Sequence, residues 1–152
     1  MNITKWDRRF LELAEMVGRW SKEPRSRVGA VIVRPNNTIA GIGYNGFPRG
    51  VYDRQDRLDN RELKNRMVVH AEQNAIYNAS GPLNGCSIYV TPLCPCSQCA
   101  GAIIQVGIKR VIALPVGTHH PEWAEQEKIS AQMFLESGVK YKVLKIGLQC
   151  QI

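Results

Sequence analysis

The sequence predicts an α/β fold: three layers, αβα, around a five-stranded mixed sheet whose last two strands are parallel. Three observations predict it. Helix-period segments and short β-branched runs follow one another in the order αββαβαβαβ, which calls for a mixed sheet with helices packed on its faces. A helical segment separates the last two strand-like runs, and a parallel return needs such a crossover. The chain has 152 residues, enough for one domain over 1–152 that buries most of its apolar surface in a single core without disulfide staples.

Taken in order, Trp6, Phe10, Leu13, Ala14, Val17 and Trp20 recur at spacings of three and four. They mark one face of an amphipathic helix, with Trp6 and Trp20 expected to face the core. Residues 28–33 are a β-branched run, Pro35-Asn36-Asn37 a turn, and 38–43 a second strand, together a hairpin. Residues 44–51, with two glycines and a proline, read as a loop. Residues 53–66 are highly charged, expected to be mostly exposed and partly helical. A helix over 68–79 is stopped by Gly81-Pro82. Then come a strand at 87–90, a helix over 96–106 ended by Gly107, a strand at 110–114, a helix over 123–136 ended by Gly138, and a last strand at 139–146. Tyr141 with Lys140, Lys142 and Lys145 reads as an edge strand.

Composition narrows the function classes. The first twenty residues carry Asp7, Glu12 and Glu15 among their apolar positions, so they lack the unbroken run of a signal peptide or membrane span. A membrane partner is therefore not expected, and a cytoplasmic location with reduced thiols is. The formal net charge is +7, which read alone suggests nucleic acid, but the basic residues are scattered rather than gathered in an arm, so charge alone does not separate that reading from a small anionic ligand. A positive field also steers small anions such as nucleotides. The five cysteines, Cys86, Cys94, Cys96, Cys99 and Cys150, are odd in number, and three crowd into six positions. That is a poor disulfide framework and a good metal-ligand pattern.

Two segments carry the chemistry. His70-Ala71-Glu72 stands at the start of a helix. Pro95-Cys96-Ser97-Gln98-Cys99 follows a strand and opens the next helix. Cys96 and Cys99, three apart, project from one helical face. Pro95 directly precedes that helix, where a missing N–H costs little, and a helix N-terminus favours the metal-binding thiolate. One His and two Cys make three ligands, and a catalytic zinc keeps its fourth position open for water where a structural zinc is closed by four. Glu72, two residues from His70, can reach that water without ligating the metal. Zinc lowers the pKa of such a water to about 7, and Glu72 then carries its proton. Either segment alone is a weak signal. Together, with Pro before the first Cys, they form the His-x-Glu and Pro-Cys-x-x-Cys signature of zinc deaminases.

The chain resembles the deoxycytidylate (dCMP) deaminases of the cytidine deaminase superfamily. The similar stretches are Ser21-Lys-Glu-Pro24, Val28-Gly-Ala-Val-Ile-Val33, Gly43-Tyr-Asn-Gly-Phe-Pro48, His70-Ala-Glu-Gln-Asn-Ala-Ile76, Tyr89-Val-Thr91 with Pro95-Cys-Ser-Gln-Cys-Ala100, and Gly107-Ile-Lys-Arg-Val-Ile112. They span about two thirds of the chain. The Gly-Tyr-Asn-Gly-x-Pro element and the Asn-Ala-Ile after Glu72 distinguish it from tRNA adenosine deaminases, which share the zinc motif.

The resemblance implies a cytidine deaminase-like fold and one catalytic Zn2+ per chain on His70, Cys96 and Cys99, with Glu72 as the proton carrier. Activated water adds at C4 of cytosine while Glu72 delivers protons to N3 and to the departing amine. dCMP becomes dUMP with release of ammonia, which serves thymidylate supply. It further implies that Asn45 hydrogen-bonds the sugar hydroxyl, that the Ala71 N–H faces the pyrimidine carbonyl, and that Val28 packs on the base. Ser26 and Arg27 lie at the pocket mouth as candidates for the 5′-phosphate, with Lys22 and Arg25 behind them. Many relatives are hexamers activated by dCTP and inhibited by dTTP, so a homo-oligomer is expected. The loop of Gly43, Tyr44, Asn45, Gly46, Phe47 and Pro48 resembles the region used for that control, with Mg2+ accompanying triphosphate effectors. Residues 51–69 hold no Cys or His, so a second, structural zinc is not expected.

Other candidates have plainer readings. Cys86 reads as a small buried residue, and Cys94, before Pro95, lies off the face shared by Cys96 and Cys99. Cys150 reads as inert and His119-His120 as a surface loop pair. The competing functions are a tRNA or single-stranded polynucleotide deaminase, which the basic balance fits, and a non-catalytic zinc-stabilised module, which requires four protein ligands and no role for Glu72.

Overall fold

The structure is a computed structural model and describes residues 3–115 and 123–144. His119, His120, Lys145 and Cys150 fall outside the described residues.

Thr4 starts helix α1 (Lys5–Gly18) with a capping box: its hydroxyl accepts from Asp7 N–H while the Asp7 carboxylate accepts from Thr4 N–H. Phe10, Leu11, Ala14 and Val17 are buried along the face that the spacing predicts. The two tryptophans depart from that expectation. Trp6 is 38% and Trp20 54% exposed. The helix ends at Gly18, so Trp20 lies beyond the last turn and no longer follows its period; it meets Tyr44 edge-on. Trp6 stacks on Phe10 and carries the Arg9 guanidinium over its ring.

Strands β1 (Gly29–Val33) and β2 (Ile39–Tyr44) form the expected antiparallel hairpin, with Asn37 in the left-handed region at its turn. The sheet runs β2-β1-β3-β4-β5, with β3 (Ser87–Thr91), β4 (Arg110–Ala113) and β5 (Lys140–Val143) mutually parallel and β1 antiparallel to both its neighbours. Alternate side chains serve opposite layers. Val31, Val33, Tyr89 and Ile112 pack on α1, whereas Ala30, Ile32, Ile88, Val90 and Val111 face the core shared with α4 (Ala71–Tyr77), α5 (Ser97–Gln105) and α6 (Trp123–Glu136). β5 is an edge strand, as expected, and β2 is the other.

Two elements differ from expectation in ways that shape the site. The charged stretch folds as two short helices, α2 (Gln55–Asp59) and α3 (Arg61–Met67), and Lys64 is buried rather than exposed. Helix α4 begins at Ala71, not at 68, because Val69 pairs with Gly46 through two backbone hydrogen bonds of 3.1 and 2.8 Å. The 43–48 loop is thereby stitched to the residues that lead into His70.

Helix α4 lies close on β2 because β2 has no side chain there. A Cβ on Gly43 would collide with Ala75 N and Ala71 O, and one on Gly41 with Ala75 O. On the opposite face, Asp7 ties α1 to the sheet. It is 1% exposed and accepts from Arg110 Nη1 and Nη2 (2.6 and 2.9 Å) and from Tyr89 Oη (2.7 Å). Burial alone would raise the Asp7 carboxyl, but the Arg110 hydrogen bonds, with those from Thr4 and Tyr89, outweigh it and hold it well below the usual carboxylate range.

Two stability predictions follow from these contacts. Asp7→Asn should lower the unfolding free energy at pH 7 by about 2–4 kcal/mol. Because the folded carboxyl titrates below its unfolded value of about 3.9, its stabilisation is complete above that pH and is lost as the pH falls further. The gap between wild type and variant in urea melts should therefore shrink on acidification below pH 4. Gly43→Ala should cost about 1–3 kcal/mol by forcing α4 off the sheet, and should loosen zinc retention measured by chelator competition.

Candidate active site

The three candidate ligands come from two helix starts that face each other. His70 is the N-cap of α4 and Cys96 the N-cap of α5, both with extended backbone; Cys99 is one turn into α5. Cys96 Sγ and Cys99 Sγ each lie 3.4 Å from His70 Nδ1. Donors about 2.0 and 2.3 Å from a tetrahedral zinc are roughly 3.5 Å apart, so the spacing fits a zinc ion without rearrangement. All three ligand atoms lie within 4.8 Å of one another. Cys94, though buried, is not part of the group. Burial pushes its thiol up to about 12, which keeps it neutral.

Electrostatics prepare the two thiols for metal. The hydrogen bond from Cys99, overcoming burial and helped by His70, draws the Cys96 thiol down to about 4. The same bond holds the proton on Cys99, whose thiol is driven far up. The metal-free pair thus keeps one proton between two sulfurs, and a metal ion displaces it. His70 is shifted upward by its hydrogen bond to Cys96.

Glu72, in the first turn of α4, is 3% exposed. Burial pushes its carboxyl up to about 7, against the pull of His70 and of its hydrogen bonds. A carboxyl poised near neutrality can both take and return a proton.

A cavity of about 750 Å³ opens on these groups. His70, Ala71, Glu72 and Cys96 line it, as do Val28, Asn45, Ser26 and Arg25. Arg27 does not line it; that side chain is exposed, with Nε toward the Glu23 carbonyl at 3.4 Å. Lys22 is also turned elsewhere, in an exposed ion pair with Asp53. Val28 is 9% exposed on the cavity wall. Ala71 is the first residue of α4, so its N–H has no acceptor within the helix. Asn45 is 8% exposed, its Oδ1 accepting from Val28 N–H at 2.9 Å and its Nδ2 donating to the Ser26 carbonyl at 2.7 Å. Of the 43–48 loop, Gly43 and Tyr44 belong to β2, and Tyr44, Asn45, Gly46 and Phe47 line a neighbouring pocket of about 120 Å³.

Several lining residues carry no local sequence signal: Glu23, Arg61, Lys64, Trp123 and Gln126. Trp123 is anchored by Nε1–H to the Cys94 carbonyl at 2.9 Å, with its ring 6.3 Å from that of His70. Gln126 has a structural reason. The Cys96 side chain does not cap its own helix. Gln126 Oε1 instead accepts from Ser97 N–H (3.1 Å) and Ser97 Oγ (3.0 Å), and Ser130 Oγ donates to the Pro95 carbonyl (2.8 Å). Helix α6 thus caps α5 from outside and leaves the Cys96 sulfur for the metal.

Comparison with known proteins agrees with this geometry. Residues 4–114 match the cytidine and deoxycytidylate deaminase zinc-binding region. An uncharacterized deaminase from the luxG 3′ region of Aliivibrio fischeri is 44% identical over 148 residues, covering 96% of this chain and 98% of that protein. The deoxycytidylate deaminase of Homo sapiens is 40% identical over 144 residues, 91% of this chain and 79% of that one. The crystal structure of the cyanophage S-TIM5 dCMP deaminase with dCMP and dUMP superposes with a TM-score of 0.74 at 25% identity, covering 95% of this chain and all of that one.

The external cap is testable. Gln126→Ala should leave the fold intact by circular dichroism and weaken zinc affinity by about 10-fold or more, the usual effect of losing a group that orients a ligand.

Proposed function

Because the chain belongs to the cytidine and deoxycytidylate deaminase family, whose zinc-binding region residues 4–114 match, we propose that it hydrolyses dCMP to dUMP and ammonia. The observation that carries this reading is the grouping of His70, Cys96 and Cys99 beside the buried Glu72, with His70, Cys96 and Glu72 on the wall of one cavity. The likeness to the human deoxycytidylate deaminase and to the cyanophage enzyme with dCMP and dUMP supports the choice of substrate.

In this reading His70, Cys96 and Cys99 hold one zinc. When bound, zinc supplies a water activated for attack on C4 at neutral pH. Glu72 accepts a proton from the attacking water and places it on N3, then takes the remaining hydroxyl proton from C4 and passes it to the amine as the C4–N bond breaks. C4 is left as a carbonyl. The Ala71 N–H receives the pyrimidine carbonyl oxygen, Val28 packs on the base, and Asn45 meets the sugar hydroxyl. Ser26 stands at the phosphate end, with Arg27 reaching it only by a change of rotamer.

The remaining expectations belong to the same proposal. One domain spans 1–152 and acts as a homo-oligomer, a hexamer by resemblance, in the cytoplasm; no helix among the described residues is long and apolar enough to cross a membrane. dCTP and dTTP, with Mg2+, act through the loop of Gly43, Tyr44, Asn45, Gly46, Phe47 and Pro48. dCMP saturation curves that do not change with either triphosphate would remove that control.

The deciding assay is ammonia release from dCMP, deoxycytidine, dCTP and a cytosine-containing oligonucleotide. dCMP should be preferred, and the oligonucleotide should not compete with it. Turnover of the oligonucleotide alone would keep the chemistry and replace the substrate with a polynucleotide. Glu72→Ala should retain zinc and fold and lose at least about 10³-fold in kcat; retained turnover would remove Glu72 from the reaction.

A further inference from the structure

Resting on the monophosphate reading above, we propose that Lys64 binds the 5′-phosphate of the pyrimidine nucleotide in the cavity, with Glu23 as its positioning residue. The starting observation is an ion pair of unusual placement. Lys64 Nζ lies 2.6 Å from Glu23 Oε1, and the two side chains are only 6% and 7% exposed. The pairs Arg19–Glu15 and Arg54–Asp56 lie at the surface instead, where such contacts contribute little.

Stability does not account for the buried pair. Desolvating two charges offsets most of their attraction, and apolar residues of the same volume commonly serve the fold as well. What the pair has, and an apolar pair lacks, is a place on the wall of the cavity that also holds His70 and Glu72.

The pair is built for position. Glu23 N–H donates to Ser21 Oγ at 3.1 Å, Glu23 Oε1 also accepts from Arg25 N–H at 3.1 Å, and Ser21 Oγ donates to the Asn45 carbonyl at 2.7 Å. The carboxylate is thus fixed to the segment that Asn45 organises. It holds the Lys64 ammonium inside, where a lysine would otherwise extend its charge to water. An ammonium has three donors, and the hydrogen bond to Glu23 uses one.

Charge on the lining completes the case. Arg25 and Arg61 line the same cavity, and Arg61 lies three residues before Lys64 on α3, so the two share a face. Three cations therefore accompany Glu23, while the other carboxyl, Glu72, stands beside the metal group. A phosphate dianion satisfies such a set through charge-assisted hydrogen bonds. Uncharged nucleosides gain nothing from it, so the pair determines specificity rather than chemistry.

The test uses the zinc-loaded enzyme and compares kcat/KM for dCMP with that for deoxycytidine. K64Q should lower the dCMP-to-deoxycytidine ratio by about 10-fold or more, as expected for a hydrogen bond to a charged group, with the loss on dCMP appearing mainly in KM. E23Q should lower the ratio in the same direction. E23Q/K64Q, which leaves no unpaired buried charge, should be no worse than K64Q, since Glu23 acts through Lys64; it also carries the test if K64Q does not fold. A wild-type preference for dCMP that survives intact in E23Q/K64Q would overturn the role of Lys64 alone. A wild-type enzyme that turns over deoxycytidine as well as dCMP would overturn the substrate reading, and this one with it.

Discussion

The seating of helix α4 on strands β1 and β2 is the constraint on which the site depends. His70 caps that helix and Cys96 caps α5, and their side chains must meet at 3.4 Å. Only a bare backbone on β2 lets α4 approach closely enough, and Gly41 and Gly43 provide it. The bridge between Gly46 and Val69 then sets where the chain enters the helix. The Gly-Tyr-Asn-Gly element is thus as much a packing device as a surface loop. Its first glycine lies under α4, its asparagine on the cavity wall, and its second glycine in the bridge.

This explains which parts were legible in the sequence. Ligand spacing within a helix is a local property, so Cys96 and Cys99 could be read directly, and Pro95 marked where their helix begins. The parallel pairing of the last two strands follows from element order because such a return needs a crossover, and β4 and β5 obey that rule. Trp20 departs from its period because periodicity does not reveal where a helix stops; Gly18 ends it two residues earlier. Lys64 reads with its charged neighbours as exposed because its partner Glu23 lies 41 residues away. Trp123 and Gln126 reach the site only because α6 packs on α5. No pattern within either helix shows that. The assignment of substrate came from resemblance, not from spacing.

The site also shows how one core accommodates several buried charges. On the α1 side, Asp7 is answered by Arg110, Tyr89 and the Thr4 N–H, a saturated arrangement with a structural purpose. On the other side, Glu72 has less to answer it, and burial raises its carboxyl toward neutrality. Two acidic side chains that solvent hardly reaches therefore titrate far apart. The difference lies in their partners: a guanidinium for one, and a group that awaits a metal cation for the other. A bound cation supplies the missing charge and draws the carboxylate form back.

Asn45 links the cavity to the fold in a way that accounts for its residue type. Its N–H donates to the Val28 carbonyl, its Oδ1 accepts from the Val28 N–H, and its Nδ2 donates to the Ser26 carbonyl. The amide both accepts and donates along one strand entrance, with its two ends on different residues. An aspartate would turn a carboxylate oxygen toward the Ser26 carbonyl, where two acceptors repel. An alanine would take the acceptor from the buried Val28 N–H, a penalty of about 1–3 kcal/mol, and the donor from the Ser26 carbonyl. By inventory the amide keeps one further N–H and one further lone pair, so contact with a sugar hydroxyl is compatible with the clamp. In the proposed reading the same residue meets the nucleotide and ties Ser26 to Val28. Its loss would disturb binding through both routes at once.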